Sequence, residues 1–456
     1  MREYNFLSKN LTTENTEGHE KEFTTEGAEG KHGGHGGSKK NFFFSSVKLR
    51  AVRRTAGLRG FVFCGFLLLL TIPLFSSPLS SPSWGFSLDL PEDYVYTGGD
   101  GRDRFSFANA DGAQFDLVVY AAGLSASYAS VEEMAKDVAS RLNNSGEMDP
   151  FVYRDKNAYL LELSFMLGNS RMAGWALCLE LGAANMPTAL PTAPGNARSG
   201  QTANSTRAKP LLLAMAYGPA ARTHLQQLHL SALDSIAPEE ADKRAPGPIT
   251  EYIYPREKRT QARIFDIGAS AMIFEDDAEA AQALVDREFS VLSLYAGSAR
   301  WREAWTRYYR AIYRDSYERL ADIAFQVERK LNVPSRENRD FAEQVLHWVQ
   351  SFGYERDFEG SDFVNLVSAA TEGRGDCDSR AMLWAIILSQ ANIPAAMMVS
   401  QHYSHAMGLA DLPGAGARFV VDGQRLLVAE TTAQVSIGLI GETVSETEHW
   451  LGISFE

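Results

Sequence analysis

Cysteine is scarce in this chain: three residues among 456, at positions 64, 178 and 377. So few thiols exclude a disulfide-built scaffold. No Cys or His pair stands at zinc-ligand spacing, so neither a metal nor any other cofactor is expected. His32 and His35, in the run Gly33-Gly34-His35-Gly36-Gly37, are too few and too loosely held to alter that. Positive charge is also short, with 44 Lys and Arg against 57 Asp and Glu and a net charge of −13. Phosphate recognition needs a concentrated basic surface, so no nucleic-acid partner is expected. Long apolar runs are missing too. The stretch from Phe61 to Phe75 is shorter than the roughly 20 residues of a comfortable membrane span, and Pro73 interrupts it.

What is present divides the chain into five regions. Residues 1–46 are polar and poor in aliphatics, and they cannot bury a core; a disordered tail is expected. In 47–84, Lys48, Arg50, Arg53, Arg54 and Arg59 precede the apolar run, and Ser76-Ser77-Pro78 follows it. That order is the n-region, h-region and cleavage region of a signal peptide. Because a polar tail precedes it, either translation starts downstream or the segment stays as a signal anchor, a membrane tether through 61–75. In both cases the basic side remains cytoplasmic and the rest is exported, to a periplasmic or cell-envelope location. Cys64 lies too early in the run for a lipobox.

Residues 85–238 read as a β-rich α+β domain. Phe86–Leu90, Arg104–Phe107, Ala113–Tyr120, Ala158–Phe165, Gly174–Leu181 and Leu211–Tyr217 alternate as strands between Gly and Asp turns. A helix is predicted over Ser130–Leu142, with Ser130 capping and Glu133 completing a capping box, and a short one over Thr223–Leu233. The Pro-, Ala-, Asn- and Thr-rich stretch 183–209 reads as a flexible loop. Cys178, in an apolar strand without a base or charge nearby, reads as core. This order resembles the small domains typified by the photosystem accessory protein PsbP.

Residues 239–334 form a linker and helical region. The linker covers Ala237–Pro248; a hairpin is expected near Ile249–Phe274, then helices over Asp277–Tyr295 and Ser298–Leu331. The second helix carries Trp301, Trp305, Tyr308, Tyr309, Ile312, Tyr313 and Tyr317 in a 3.6-residue stripe suited to packing. Val333-Pro334-Ser335 stops it and starts another helix, Arg336 to about Phe352.

The last region, 335–456, carries the chemistry. Gly373-Arg374-Gly375-Asp376-Cys377 delivers a thiol to the first turn of a helix whose apolar face is Ala381, Trp384, Leu388 and Ala391. Asn392-Ile393-Pro394 ends it, with Asn392 in the left-handed position. A helix N-terminus offers unpaired N–H groups and a positive dipole end, which favour thiolate. Ser404–Ala410 suits a strand with His405 near its start. Asp422-Gly423 suits a two-residue type I′ turn in a hairpin that ends at Glu430. A thiol, then His, then a carboxylate satisfies the logic of a nucleophilic triad. His402 is the rival base, but Tyr403-Ser404 puts it in the loop. Gln350 and Tyr354 are candidates to help stabilise an oxyanion beside the Cys377 N–H.

Gly375-Asp376-Cys377-Asp378, Asn392-Ile393-Pro394, His405-Ala406 and Glu430-Thr431-Thr432 together resemble the transglutaminase-like superfamily, the papain-like group that includes transglutaminases and bacterial transglutaminase-like cysteine proteinases. The family's acid is more usually an Asp followed by Pro and Thr, so Glu-Thr-Thr is a departure. The resemblance implies a papain-like α+β domain over 335–456, with Cys377 and His405 catalytic and Glu430 orienting the imidazole. It implies a protein or peptide substrate and acyl transfer, ending in hydrolysis or in transamidation. A non-catalytic envelope scaffold that keeps the domain for its shape is the competing expectation.

Overall fold

A computed structural model of the chain describes residues 78–121, 124, 128–182, 209–331, 337–355 and 361–455. The tail 1–46, the run 61–75, most of the loop 183–209 and Val333-Pro334-Ser335 lie outside the described residues. The described chain begins with a short antiparallel pair, β1 (Leu79–Ser80) against β2 (Ser87–Leu88). Trp84 between them is 1% exposed, and its indole N–H donates to Asp103 Oδ1 at 2.8 Å. A buried indole with its N–H satisfied is core. Residues 78–84, expected in the export segment, therefore belong to the fold.

Seven antiparallel strands follow: β3 (Val95–Gly99), β4 (Arg104–Ala108), β5 (Gln114–Tyr120), β6 (Met148–Tyr153), β7 (Lys156–Leu167), β8 (Ser170–Glu180) and β9 (Leu211–Pro219). Their spatial order is β3-β4-β5-β9-β8-β7-β6. Helix α1 (Val131–Leu142) sets Val131, Met134, Ala135 and Val138 against Leu161, Leu163 and Cys178 of the sheet. Ser130 Oγ accepts the Glu133 N–H at 3.1 Å, while the Glu133 carboxylate reaches back to the Ala129 N–H at 2.7 Å. Helix α2 (Leu225–Asp234) lies on the sheet, with His229 buried at its centre.

The segment after α2 is not the exposed linker that its proline and charge suggest. It makes a 3-10 turn (Glu240–Arg244) and α3 (Pro248–Ile253), and Ala237, Ala245 and Ile249 are buried. The Arg314 guanidinium donates to the carbonyls of Asp234, Ile236, Asp242 and Ala245, and the Tyr153 hydroxyl donates to that of Pro246. Distant donors satisfy the backbone of this segment and hold it against the body.

Next come the hairpin β10 (Arg259–Arg263) and β11 (Ser270–Phe274), then α4 (Asp277–Ser293), α5 (Trp301–Arg319), α6 (Ala321–Leu331) and α7 (Asn338–Gln350). The single helix expected over 298–331 is broken at Leu320 (φ −87°, ψ 0°). The break lets Asp322, in the first turn of α6, accept the Met272 N–H of the hairpin at 2.6 Å. Helix α5 has two working faces. Tyr308, Tyr309, Ile312 and Tyr313 enter the apolar core. Arg307 and Arg310 instead form buried or half-buried ion pairs: Arg307 with Glu92 (3.1 Å) and Glu288 (2.7 Å), Arg310 with Asp89 (3.0 Å).

The chain closes with β12 (Gly353–Tyr354) parallel to β13 (Arg374–Gly375), helix α8 (Cys377–Gln390), and strands β14 (Ala395–Ser400), β15 (His405–Ala410), β16 (Arg418–Val421), β17 (Gln424–Ala429) and β18 (Leu451–Ile453). The last five form an antiparallel sheet ordered β16-β17-β15-β14-β18. Asn392 (φ 61°) ends α8, with Ile393 N–H on Leu388 O and Asn392 N–H on Ser389 O, the paired bonds of a Schellman stop. Asp422 and Gly423 both take positive φ (47° and 80°), as a type I′ turn demands. One core runs from Ile264 through the helices to Ile453, so 239–334 and 335–456 are not separately packed. The described residues form a mixed α/β fold within one compact unit, Phe75–Glu456.

What sets the distance between α8 and its sheet is glycine. Ala406, Gly408 and Ala410 lie on alternate positions of β15 and so share a face. A Cβ added to Gly408 would lie 2.5 Å from the Trp384 ring. Gly408→Ala should therefore destabilise the protein by about 1–3 kcal/mol through overpacking, read as a lower urea midpoint with an unchanged slope. A second prediction concerns α2. Burial alone drives the His229 imidazole down from 6.5 to about 3, and its Nδ1 has no hydrogen-bond partner. Between those values the unfolded chain binds the proton and the fold does not, so stability falls as pH drops from about 6.5 toward about 3. His229→Leu should flatten that acid limb, which approaches about 1.4 kcal/mol per pH unit, in thermal melts taken across the range.

Candidate active site

The approach to α8 is built from close contacts. Gly373 sits at φ +68°, and a Cβ there would lie 2.3 Å from the Phe265 ring, so only glycine fits. Arg380, 2% exposed, donates from Nε to Gly375 O (3.1 Å) and from Nη2 to Phe352 O (2.8 Å), fastening the incoming strand to the end of α7. Asp376 then caps the helix: its Oδ1 accepts the Ser379 N–H at 2.9 Å and the Ser379 hydroxyl. Cys377 follows as the first helical residue, 4% exposed.

The surroundings of the thiol correct one expectation. Position at a helix start was expected to favour thiolate, yet burial pushes the Cys377 thiol well up, and the charges of Asp378 and Asp376 push it further; the Ala406 N–H on the sulfur only partly offsets them. The sulfur donates to Asp378 Oδ1 at 3.4 Å, and the Tyr309 hydroxyl donates to Asp378 Oδ2 at 2.5 Å. Burial also raises the Asp378 carboxyl, against the pull of Tyr309, the thiol and His405. Asp376 is pushed up to about 7 by burial, with the charge of Asp378 adding to it. Full desolvation beside two carboxylates outweighs a half-charge of helix dipole.

His405 opens β15, and Glu430 follows the last residue of β17. Their side chains meet, with His405 Nε2 and Glu430 Oε2 at 2.8 Å. The other oxygen, Oε1, accepts the Thr432 N–H (2.8 Å) and hydroxyl (2.6 Å). Burial raises the Glu430 carboxyl, but the bond and charge of His405 and the two Thr432 bonds outweigh it and hold it below the usual carboxylate range. Against an ionised carboxylate Nε2 must carry the hydrogen, which makes Nδ1 the acceptor in the neutral ring. Trp450, 4% exposed, packs edge-on to the imidazole with centroids 6.1 Å apart.

Other candidates have different roles. Gln350 spends both amide hydrogens on the carbonyls of Glu430 (2.8 Å) and Val435 (2.9 Å). It clamps the segment that carries the acid and has no hydrogen left for an oxyanion. Tyr354 is 56% exposed on β12, with the Arg380 guanidinium 5.6 Å from its ring centre. His402 is exposed on the β14–β15 turn and stacks on His449 at 4.1 Å. Cys178 is fully buried in β8, its thiol pushed up to about 12 by burial. Donor atoms of Asp376, Cys377 and Asp378 lie within 4.8 Å of one another, as do those of Glu446, Glu448 and His449. Ser379, Tyr309 and the thiol already engage the first group's carboxylates, and neither group is assigned to a metal.

Sequence reasoning missed Tyr309, Thr432 and the thiol's contact with Asp378. Thr432 stood two residues beyond the acid, and a hydroxyl there was a usable sign of local capping. Tyr309, 69 residues before Asp378, gave no local sign.

No family model matches the chain, and no curated protein matches it. Among solved structures, it is similar to the solution structure of cyanobacterial PsbP (CyanoP) from Synechocystis sp. PCC 6803, at 10% identity over 38% of this chain and 96% of that one, with a TM-score of 0.24. It is also similar to a 1.50 Å crystal structure from Bacteroides thetaiotaomicron VPI-5482, at 11% identity over 52% of this chain and 78% of that one, with a TM-score of 0.23. Likeness at these scores carries no argument about fold or chemistry. The site rests on its own geometry.

The elevated Asp376 carboxyl has a measurable consequence. Between 3.8 and about 7 the fold holds a proton that the unfolded chain releases, so stability falls as pH rises through that window. Asp376→Asn keeps the capping oxygen and carries no charge. It should match the parent at about pH 4 and exceed it by about 1–3 kcal/mol at about pH 8, in denaturant titrations at both values.

Proposed function

We propose that this chain is an exported thiol-dependent acyl-transfer enzyme of transglutaminase-like, papain-like type that hydrolyses a peptide or protein amide. The observation that carries the reading is the His405–Glu430 hydrogen bond at 2.8 Å, made at the start of strand β15, which packs against the helix that Cys377 opens. That bond fixes the tautomer, so the ring nitrogen left to accept a proton is Nδ1. In the proposed cycle Nδ1 takes the thiol proton and the sulfur attacks the amide carbonyl. First-turn N–H groups of α8 receive the oxyanion. The tetrahedral intermediate then collapses, and the leaving amine takes the proton back from His405. Water adds to the thioester and releases the acid and the free thiol. An amine acceptor in place of water would give transamidation; hydrolysis is favoured because water is the default acceptor. Export is supported by the basic cluster before the apolar run 61–75. No helix among the described residues is long and apolar enough to cross a membrane.

The second reading, a non-catalytic envelope scaffold, is favoured by the burial of the sulfur beside two carboxylates. A peptidyl electrophile separates the two readings. The catalytic reading expects covalent labelling at Cys377 that falls by about a hundredfold in His405→Ala, in line with the loss of a general base, and less in Glu430→Gln. Absent labelling, or labelling indifferent to His405, would overturn the catalytic reading.

A further inference from the structure

The triad leaves one contact of the nucleophile unexplained. The thiol's hydrogen bond runs to Asp378 Oδ1 at 3.4 Å, and Asp378 is held in place by the Tyr309 hydroxyl at 2.5 Å, from a different helix. A carboxylate one residue from a nucleophile on the first turn could have faced solvent. Here Tyr309, 3% exposed, fixes it against the sulfur. We propose that the Tyr309–Asp378 pair is a restraint on the nucleophile: Asp378 is the resting acceptor of the Cys377 proton, competes with His405 for it, and keeps the thiol latent in the substrate-free protein.

This inference rests on the Cys377–His405 reading and adds control of the same sulfur. The charged and titratable groups around the pair are few. Asp376 and Arg380 face it from α8, His405 from β15, Tyr308 and Tyr309 from α5, and Asp362 from the loop before α8. The only cation of fixed charge among them, Arg380, spends Nε and Nη2 on the carbonyls of Gly375 and Phe352. Its charge is felt at Asp376 and at the sulfur, but its hydrogen bonds are directed to these carbonyls rather than to either carboxylate. Removing the Asp378 charge takes away both the acceptor and the repulsion that oppose ionisation. Removing the Tyr309 hydroxyl takes away the donor that favours the ionised form of Asp378 and aims it, so its carboxyl holds a proton more readily and can donate to sulfur. Both changes move the thiol in one direction.

The test is the pH dependence of iodoacetamide alkylation on the whole chain, with modification at Cys377 read by peptide mass spectrometry. It requires no substrate and no turnover. Asp378→Asn, close in size and shape, should lower the alkylation midpoint by at least about one pH unit and speed alkylation at about pH 7.5 by about tenfold. Tyr309→Phe should shift the midpoint the same way by a smaller amount. Melting curves confirm that each variant is folded, and Asp378→Ser stands in if the amide variant is not. An unchanged or raised midpoint in folded Asp378 variants overturns the restraint and leaves the peptide-probe result standing. A shift in Asp378→Asn with none in Tyr309→Phe overturns the part given to Tyr309. A lower midpoint in both establishes it, whether or not the peptide probe reacts.

Discussion

The candidate site depends on one steric fact: the Trp384 indole occupies the space that a side chain at position 408 would fill. Helix α8 can approach β15 so closely because the facing residues, Ala406, Gly408 and Ala410, are small. That approach brings the start of β15, with His405, within electrostatic reach of Asp378 on the first turn of the helix. The indole is anchored on its other side by a 3.0 Å bond from Nε1 to Ala342 O on α7. Helix, sheet and supporting helix are thus locked by one large side chain in a close-packed core, where a methyl group is already too much.

Against this rigid frame the electrostatics of the Cys377 thiol are in conflict. The helix start offers donors and a positive dipole end; burial and two flanking carboxylates withdraw what they offer. Under the proposed reading an imidazole resolves the conflict by taking the thiol proton, and Glu430 is organised around His405. It is ionised, bonded to Nε2, and stabilised from behind by two bonds from Thr432. The acid is therefore organised more completely than the thiol.

The sequence was most legible where a conformation is decided within a few residues. Asn392 in the left-handed position, Asp422-Gly423 as a type I′ turn and Ser130 with Glu133 as a cap are local chemistry, and the structure shows each. Legibility failed where burial is decided at long range. Ala237–Pro248 has the composition of a linker, but Arg314 and Tyr153 supply donors to its carbonyls from far along the chain. Pro78–Trp84 has the composition of a cleavage region, but Trp84 finds a pocket and Asp103. Gln350 was recognisable as an amide near the site. That its hydrogens go to carbonyls 80 and 85 residues away could not be read from its position.

Helix α5 ties these long-range effects together. Arg307, Arg310 and Arg314 recur at intervals of three and four, which puts them on one face, and that face is fixed to carboxylates and carbonyls of the first sheet's surroundings. Tyr309, one position from Arg310, is turned away from them and reaches Asp378. A helix packed this tightly moves as a body, so the distance from the Tyr309 hydroxyl to the Asp378 carboxylate is set partly by the ion pairs on the opposite side. Removing one partner of a buried pair leaves an uncompensated charge that costs about 3–5 kcal/mol. The ion pairs fix α5 to Asp89, Glu92 and Glu288. One helix thus joins Asp89 and Glu92, on one side, to the carboxylate beside Cys377 on the other.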